Sequence, residues 1–532
     1  MSFIQKHFIQ YLLIGCLILM STCCIAQTND DESWDEEETS IPAQPIISSI
    51  LFSGNSTYSA NELLKEISFI PNTTYSRTLV LEGKYFISNY YVDRGYKWVQ
   101  VSTDIFTGDT TGNLTLKYFI NEGPVTHIGD INIKGNDKTK DKVIYRELLF
   151  SPGSLYRRKD IYTSQNRLIS LNYFTDVRFT EDTTTSNNTT VNITIEVVER
   201  GTGLWSFGAG YSTEEGIRGY TRYRQSNLFG NGQQFSTGIK WAEIGETYQR
   251  SREFRTDFFD PSFLDSKLGL GLETYYRRED FDNYDINRLG FGAYLTQLFW
   301  DNQVRATLKY RLEQDYVFNV DNIIDPYMLS INKTTDWISM VSASLEKDTR
   351  NSLINPSKGG IYSLEWGLSS KAFGSDYNYS KILIDLRRYH EIKPKVVLAL
   401  RARAGHIESF GDTQSVPIYE RLYGGGADSV RGIKDRYLGP ADMDGYPKGG
   451  NTSLIYNMEL RFPVYKDFGG VAFYDGGGVW KDISDVDLTD LHHSVGMGLR
   501  YMTPIGPLRV DYGYEVSGGH DKRIHFSVGQ TF

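Results

Sequence analysis

The fold of this chain is decided by the stretch RIHFSVGQTF, residues 523–532. Its apolar residues alternate with polar residues and glycine, as on one face of a strand: Ile524, Phe526, Val528 and Phe532. A soluble protein rarely ends in such a strand, because a free apolar edge invites aggregation. In a transmembrane β-barrel, the last strand pairs with the first and turns its apolar face to lipid. The stretch therefore predicts an outer-membrane β-barrel.

The composition of the 532-residue chain fits this prediction and excludes a bundle of membrane helices. The mean hydropathy is −0.39, which is too polar for such a bundle. Aromatic residues make up 14% of the chain, and they suit the interfacial girdles of a barrel. The 50 glycines suit crowded strands and tight turns. The net charge of −10 argues against nucleic-acid binding.

Residues 1–26 have the pattern of a secretory signal peptide. An apolar run at residues 11–20 precedes the small-residue spacing of a cleavage site that ends at Ala26. All three cysteines lie in this segment, so we expect a mature protein without disulfides, thiol catalysis or cysteine-bound zinc. An alternative is lipidation at Cys16, since residues 13–16 resemble a lipoprotein cleavage box. Residues 27–44 are acidic and are predicted to be a disordered linker.

Two weakly similar units follow, at residues 45–123 and 124–200. Each opens with a strand that ends in a turn, continues into helical patterns and closes on alternating strands. In the first unit, Ser59 and Glu62 have the spacing of a capping box at a helix N-terminus. This order predicts two small α+β domains. Their sheet edges can accept an extended peptide, or the domains can serve as spacers, and the sequence leaves both functions open.

From residue 201 to residue 532 the helical patterns disappear, and runs of period two recur between polar loops. In the runs at 453–462, 495–501 and 508–516, apolar residues alternate with glycine and charged residues. Charged residues inside a soluble β-sandwich would need partners, whereas in a wide barrel they line a wet lumen at little cost. This length predicts an all-β, antiparallel transmembrane barrel of about sixteen strands, at roughly 10 residues per strand plus loops.

The sharpest motif of the barrel region is ERLYGGGADSVRGI, residues 420–433. It lacks the Gly-Lys-Ser/Thr of a phosphate-binding loop and does not open a helix, which excludes nucleotide binding there. With Leu438-Gly439-Pro440 behind it, the motif resembles the lumen-plugging loop of the BamA/TamA-type outer-membrane insertase superfamily. Further matches follow in the family's order: NLFGNG at 227–232, DTR at 348–350, FYDGG at 473–477, TPIGPLR at 503–509 and FSVGQTF at 526–532. The two N-terminal units resemble the POTRA domains of the same proteins, most closely at residues 168–177.

The resemblance implies a role for the lumen-loop motif Val430, Arg431, Gly432 and Ile433. In the family, the loop arginine pairs with an acidic residue on the inner barrel wall, and the matching residue here is Asp475. A guanidinium–carboxylate fork is geometrically demanding, so it can pin a long loop against a strand. Gly432 would permit a tight backbone path. The alternative is that Arg431 is an ordinary turn residue.

The resemblance also implies a lateral seam between the first barrel strand, around residues 205–211, and the last, at 523–532. The expected seam residues are Phe207, Gly208, Gly210, Phe526, Gly529 and Phe532. Glycines weaken strand pairing, and Gly529 is expected to let the last strand bend inward. Unpaired backbone groups are costly in hydrocarbon, and a substrate strand can satisfy them by adding to the edge.

The implied function is assembly or translocation of outer-membrane proteins, in which β-rich substrates are inserted or exported. The expected partners are the lipid bilayer, unfolded outer-membrane proteins, and periplasmic or lipoprotein accessory factors. The sequence contains no Gly-x-Ser-x-Gly elbow and no His-Glu-x-x-His, so we predict no enzyme, no cofactor and no metal. The predicted location is the outer membrane of a Gram-negative bacterium, with the N-terminal domains in the periplasm.

Two other functions remain. A two-partner-secretion transporter also combines two such domains with a barrel, but it usually carries an N-terminal plug helix, and residues 27–44 have no amphipathic stripe. A passive porin needs neither periplasmic domains nor the loop motif. Since the principal assembly factor of the family has more periplasmic domains, the chain can be an accessory paralogue. The sequence leaves its substrates and its oligomeric state open.

Overall fold

The computed structural model describes residues 45–107, 113–182, 189–243, 245, 250–300, 302–320, 335–503, 506–528, 530 and 532. The chain divides into two compact units, of which the first ends at Val125 and the second begins at Thr126. The predicted signal peptide and acidic linker, residues 1–44, lie outside the described residues. Within the described ranges, no helix is both long enough and apolar enough to span a bilayer.

The first unit is a small α+β domain. Its elements are β1 (Ile46–Ser53), α1 (Ala60–Glu66), β2 (Thr73–Thr74), α2 (Arg77–Val92), β3 (Gln100–Thr107) and β4 (Asn113–Asn121). The sheet order is β2-β1-β4-β3, with β1 and β4 parallel. Ile87 and Tyr91 of α2 pack on Leu116 and Tyr118 of β4. The predicted capping box is confirmed, since the Ser59 hydroxyl accepts the backbone N–H of Glu62.

A second α+β domain opens the second unit. Its elements are β5 (His127–Lys134), α3 (Asp141–Tyr145), α4 (Arg158–Ser170), β6 (Phe174–Asp182) and β7 (Thr190–Glu199). The sheet order is β5-β7-β6, with β5 and β7 parallel. Leu168 of α4 is buried together with Val191, Ile193 and Ile195 of β7. The prediction of two small α+β domains is therefore confirmed.

The rest of the chain forms one antiparallel sheet of 16 strands. They are β8 (Gly203–Ser212), β9 (Gly216–Leu228), β10 (Gln233–Glu243), β11 (Arg250–Asp260), β12 (Gly269–Asp280), β13 (Asp285–Phe299), β14 (Val304–Phe318), β15 (Thr335–Asp348), β16 (Gly359–Ser369), β17 (Tyr379–Lys393), β18 (Val396–Ser409), β19 (Thr452–Tyr465), β20 (Phe468–Trp480), β21 (His492–Thr503), β22 (Gly506–Glu515) and β23 (Lys522–Val528). Each strand pairs with its neighbours in sequence, and β8 and β23 stand at the two ends of the order. The predicted 16-stranded barrel is confirmed, and it is nearly closed.

The two faces of the barrel strands differ as the alternation predicts. On β19, Met458 and Leu460 are exposed on the outer face, while Asn457 and Glu459 point inward. The inner face differs from the expected wet lumen, however, because Glu459 is 0% exposed. The loop that follows β18 fills this part of the lumen, so the inward charges are held by ion pairs and not by water.

The last strand is shorter than the predicted 523–532. Strand β23 ends at Val528, and Phe532 lies inside the barrel, buried with Tyr389, Val397 and Ala399. Arg461 Nη2 donates a hydrogen bond to the Phe532 carbonyl oxygen at 3.1 Å. The alternating pattern places Phe532 on the lipid face, whereas the structure buries it among lumen-facing residues.

Candidate functional site: the lumen loop and the seam

The candidate site is built around residues 410–451, the loop between β18 and β19, which folds back into the barrel. The loop has its own apolar core, in which Val430, Ile433 and Leu438 pack on Ile455 and Val479 of the barrel wall. Gly424 and Leu438 form an isolated antiparallel bridge that closes the loop on itself. This core gives the tip of the loop, residues 428–433, a fixed position in the lumen.

Arg431 at the tip is completely buried, at 0% exposure. It forms a bidentate salt bridge with Asp475 of β20, in which Nε donates to Oδ2 at 2.7 Å and Nη2 donates to Oδ1 at 2.8 Å. The backbone N–H of Arg431 donates to the same carboxylate at 3.2 Å. The two residues expected to pair are thus in direct contact, with the planar geometry that only arginine offers a carboxylate.

Arg431 has further partners that the sequence did not single out. Its Nη1 lies 2.7 Å from Glu459 Oε1 and 3.4 Å from Asp511 Oδ2. Its guanidinium carbon stands 3.4 Å from the ring centroid of Phe473, a cation–π contact. Glu459 and Asp511 occur in alternating runs, so the sequence placed them on the lumen face. It gave no signal that strands β19, β20 and β22 bring three carboxylates to one height.

Two more arginines balance these carboxylates. Arg461 Nη2 lies 2.8 Å from Glu459 Oε2, and Arg500 Nη1 lies 2.6 Å from Asp511 Oδ1. The cluster therefore holds three arginines and three carboxylates, all of them buried. Buried ion pairs repay their desolvation only when the geometry is good and the remaining polar atoms are hydrogen-bonded. Here the charges balance, whereas Arg461 Nη1 and Arg500 Nε have no hydrogen-bond partner among the described residues.

The backbone of the loop tip presses directly on β22. Gly432 has φ +97°, and a Cβ built on Gly513 would lie 2.6 Å from the Gly432 nitrogen. On the neighbouring strand β23, His525 Nε2 accepts the N–H of Gly432 at 3.2 Å. A side chain at either glycine would separate the two backbones. The sequence indicated Gly432 but not Gly513 or His525, because the contact joins segments that are distant along the chain.

Eleven residues before Arg431, the loop carries the opposite charge at Glu420. Glu420 is 4% exposed, and its Oε1 accepts Arg311 Nη2 of β14 at 3.0 Å. Lys381 Nζ of β17 donates to the Glu420 carbonyl oxygen at 3.2 Å. Beside it, Tyr419 donates to Asp336 of β15 at 2.9 Å. The loop is therefore anchored by an anion on the β14–β17 wall and by a cation on the β19–β22 wall.

The seam between β8 and β23 is almost without backbone pairing. Among the described residues, the strands share no ladder, and the backbone hydrogen bond that joins their ends runs from Thr213 N to Phe526 O at 3.2 Å. Phe207 is 74% exposed on the outer face, and the ring of Phe526 lies 6.0 Å from that of Tyr211. Gly529 lies outside the described residues.

Gly208 and Gly210 face the lumen beside the seam. They line a cavity of about 490 Å³ together with Val528 of β23, Trp241 and several charged side chains. The ring of Tyr220 covers Gly208 so closely that a Cβ there would collide with it. The seam is thus bordered by lipid-facing aromatic rings outside and by open space inside.

Residues 227–532 match the Omp85 superfamily domain, and residues 45–123 and 126–200 each match the POTRA domain, described as a surface antigen variable number repeat. The chain belongs to the Omp85 superfamily. The family match begins within β9 and includes every residue of the loop and of the ion cluster described above. The superfamily predicted from the motifs is therefore confirmed.

Several relatives of this Omp85 protein are named outer membrane protein assembly factor BamA. The protein of Nitratidesulfovibrio vulgaris is 29% identical over 467 residues, which cover 84% of this chain and 56% of the relative. That of Neorickettsia risticii is 27% identical over 456 residues, covering 83% and 60%. That of Neisseria meningitidis is 24% identical over 498 residues, covering 84% and 62%. The chain thus spans less than two thirds of the length of these relatives.

Solved structures share the fold of this Omp85 chain. BamA from Haemophilus ducreyi lacking POTRA domains 1–3 superimposes with a TM-score of 0.76 at 21% identity, over 91% of this chain and 99% of that one. CdiB from Escherichia coli superimposes with a TM-score of 0.53 at 15% identity, over 98% and 97%. The Omp85 chain is an outer-membrane protein with its POTRA domains in the periplasm, as predicted.

Within the described part of the Omp85 chain, no group of three or more His, Cys, Asp or Glu side chains is arranged to hold a metal ion. The groups that converge at the candidate site are ion pairs, backbone donors and glycines. This arrangement can hold or release a loop and can present a strand edge.

Proposed function

We propose that this protein inserts or exports β-rich outer-membrane substrates by pairing a substrate strand with the edge exposed at its seam. One observation carries the proposal: β8 and β23 lack the ladder that joins every other pair of neighbouring barrel strands in the described residues. Unpaired N–H and C=O groups are costly in hydrocarbon, so an incoming strand that bonds to them lowers the free energy of the edge and of the substrate. Hydrogen-bond exchange alone is needed, without covalent chemistry or a cofactor.

The lumen loop supports this edge. Arg431 binds carboxylates on β19, β20 and β22, and His525 of β23 accepts the next backbone N–H. The loop therefore braces, from inside the barrel, the strands on the β23 side of the seam. Without that brace, we expect these strands to lose the shape that offers the edge to a substrate.

The proposed partners follow from the same geometry. The substrates are unfolded outer-membrane proteins, whose alternating strands match the edge in length and pattern. The relatives' name, outer membrane protein assembly factor, supports this substrate class. The two POTRA domains are proposed to receive substrates or accessory factors in the periplasm.

The test is assisted folding in liposomes that contain the purified protein. An unfolded barrel substrate is added, and protease-resistant substrate is counted over time. We expect faster folding than in empty liposomes, and we expect Arg431→Ala to lose most of that gain. Asp444→Ala, an exposed change in the same loop, is the matched control and should keep it.

Two results would contradict this function. Equal folding with and without the protein would exclude an insertase. Stable ion conductance or substrate export without assisted folding would instead support a secretion pore of the two-partner type, the second candidate.

A further inference from the structure

One carboxylate contacts both the last barrel strand and the lumen loop. Glu214 lies in the turn between β8 and β9. Its Oε1 is 3.0 Å from His525 Nδ1 on β23, and it accepts the backbone N–H of Ala427 in the loop, also at 3.0 Å. The first hairpin, the last strand and the loop therefore meet at a single oxygen atom.

His525 extends this contact to the tip of the loop. The imidazole is 1% exposed, and its Nε2 lies 3.2 Å from the nitrogen of Gly432. A backbone N–H can only donate, so Nε2 must accept and carries no proton. The proton of the neutral ring is then on Nδ1, where it is donated to Glu214. Each ring nitrogen has one partner, and the two partners belong to different elements.

We propose that Glu214 and His525 couple closure of the seam to seating of the lumen loop. When β8 moves away from β23, the bond between Glu214 and His525 breaks, and Ala427 loses its acceptor as the hairpin leaves. When the loop lifts, Glu214 and His525 each lose a backbone donor; the His525 side chain is 1% exposed and that of Glu214 is 17% exposed. Either movement alone leaves polar groups without a hydrogen-bond partner, which costs free energy. The second movement reduces this cost, so opening of the seam and lifting of the loop are favoured together.

The purpose of this coupling rests on the proposed function, because Glu214 and His525 link the seam and the loop, the two parts that move in that function. Beside the contact between Glu214 and His525, the described backbone bond between these strand ends runs from Thr213 N to Phe526 O. The next residue provides a contrast. Glu215 bonds Arg218 within the hairpin at 2.7 Å, and no contact joins it to the loop or to β23 among the described residues.

The experiment uses two reporters in nanodiscs, without substrate. The background protein has Cys16, Cys23 and Cys24 replaced by serine. The rate of disulfide formation between Tyr211→Cys and Phe526→Cys reports the closed seam, because the bond can form only while the two strand ends are close. The two native rings face each other across the seam, with centroids 6.0 Å apart. The rate of trypsin cleavage within residues 428–436 reports the lifted loop.

Glu214→Ala should slow the seam disulfide and speed loop cleavage, each by about tenfold, as expected for losing hydrogen bonds to a charged group. His525→Ala should do the same. Glu215→Ala should leave both rates unchanged. Glu214→Gln keeps the Oε1 acceptor and should lie between the parent and Glu214→Ala, which also provides a readout if the alanine variant does not fold.

Coupling is then tested from the side of the loop. Arg431→Ala should slow the seam disulfide, and adding Glu214→Ala to it should slow the rate no further, because both changes break one connected unit. The proposal is overturned if Glu214→Ala slows the disulfide but leaves loop cleavage unchanged, or if the two effects multiply. Neither reporter requires a substrate, so a negative folding assay and a negative result here are separate outcomes.

Discussion

At the scale of single residues, the site depends on contacts that only one type of side chain can make. Arg431 offers a planar fork to Asp475 and a third nitrogen to Glu459, which lysine cannot do. Removing one partner of a buried ion pair typically costs about 3–5 kcal/mol, because the remaining charges are left without compensation. The large loss expected for Arg431→Ala in the folding assay follows from this burial.

Gly513 gives a prediction that tests the close approach of loop and strand. In Gly513→Ala, the new Cβ would lie 2.6 Å from the Gly432 nitrogen, so the loop tip should be pushed away from β22. We expect faster trypsin cleavage of the loop and weaker assistance of folding. Gly518→Ala is the matched control, since its nearest neighbour would be a side-chain oxygen at 3.4 Å. Equal cleavage rates in the two variants would contradict the prediction.

The sequence predicted some of these residues and not others. Arg431 and Asp475 followed from motifs that resemble a known family. Glu459 and Asp511 are recognisable from alternation as lumen-facing, but their height in the barrel depends on strand register, which no single strand encodes. Gly513 and His525 contact the loop through segments that lie far apart in sequence, so no local pattern indicated them.

At the scale of elements, the turn between β9 and β10 also forms a joint between the barrel and the second POTRA domain. Asn227 Nδ2 donates to Thr139 Oγ1 of the second POTRA domain at 2.8 Å, and Lys140 N donates to Gly230 O at 2.9 Å. A Cβ on Gly230 would collide with the Lys138 carbonyl oxygen. The NLFGNG motif at 227–232 therefore holds that domain against the periplasmic end of the barrel.

We predict that Asn227→Ala loosens this joint. The change removes the bond to Thr139 and the acceptor for the Gly232 N–H at 2.7 Å, which should cost about 1–3 kcal/mol. Amide hydrogen exchange at Lys140 should speed up accordingly. Asn231→Ala serves as the control, since no described contact uses its side chain. The joint would be refuted if both variants exchanged at the same rate as the parent protein.

The seam gives a second prediction at this scale. With the Tyr211→Cys and Phe526→Cys pair oxidised, the strands cannot separate, so assisted folding should stop, and it should resume after reduction. Each single-cysteine variant, treated with the same oxidant, should remain active. Full activity of the locked protein would mean that substrates do not pair at this seam.

The strands themselves were largely predictable, because the period of two is a local property of sequence. The exception is the end of β23, where the alternation continues to Phe532 but the strand ends at Val528 and Phe532 is buried inside the barrel. A pattern reports which side of a strand a residue occupies. It does not report where the strand stops being straight.

At the scale of the whole molecule, the segment of the loop from Glu420 to Arg431 is a strap across the lumen with opposite charges at its ends. Glu420 is held by Arg311, and Arg431 is held by Asp475 on the other wall. The number of strands and the class of the small domains could be predicted from length and pattern. The strap could not, because the basic partners of Glu420 come from β14 and β17 and are separated along the chain.

Glu420→Ala should release the strap on the β14–β17 wall and open part of the lumen. Arg311, which is partly buried, loses one of its two carboxylates and keeps Glu313 at 2.9 Å. The cost is therefore smaller than the roughly 3–5 kcal/mol of an unpaired buried charge, but it still favours the detached end. Single-channel recordings in planar bilayers should then show higher conductance than in the parent protein. Glu408→Ala, an exposed change near the end of β18, is the control. Unchanged conductance in Glu420→Ala would show that this anchor does not hold the lumen closed.

The positions of the partners of Arg431 along the chain also impose an order on folding. They follow it by 28, 44 and 80 residues, so the arginine leaves the ribosome before any of them. A lone guanidinium cannot enter a closed barrel without a compensating charge. The loop can be seated only after β19, β20 and β22 have formed, which makes its seating a late step in maturation. A barrel that stalls before its last strands would leave the loop unseated, with Arg431 hydrated by water and not paired with carboxylates.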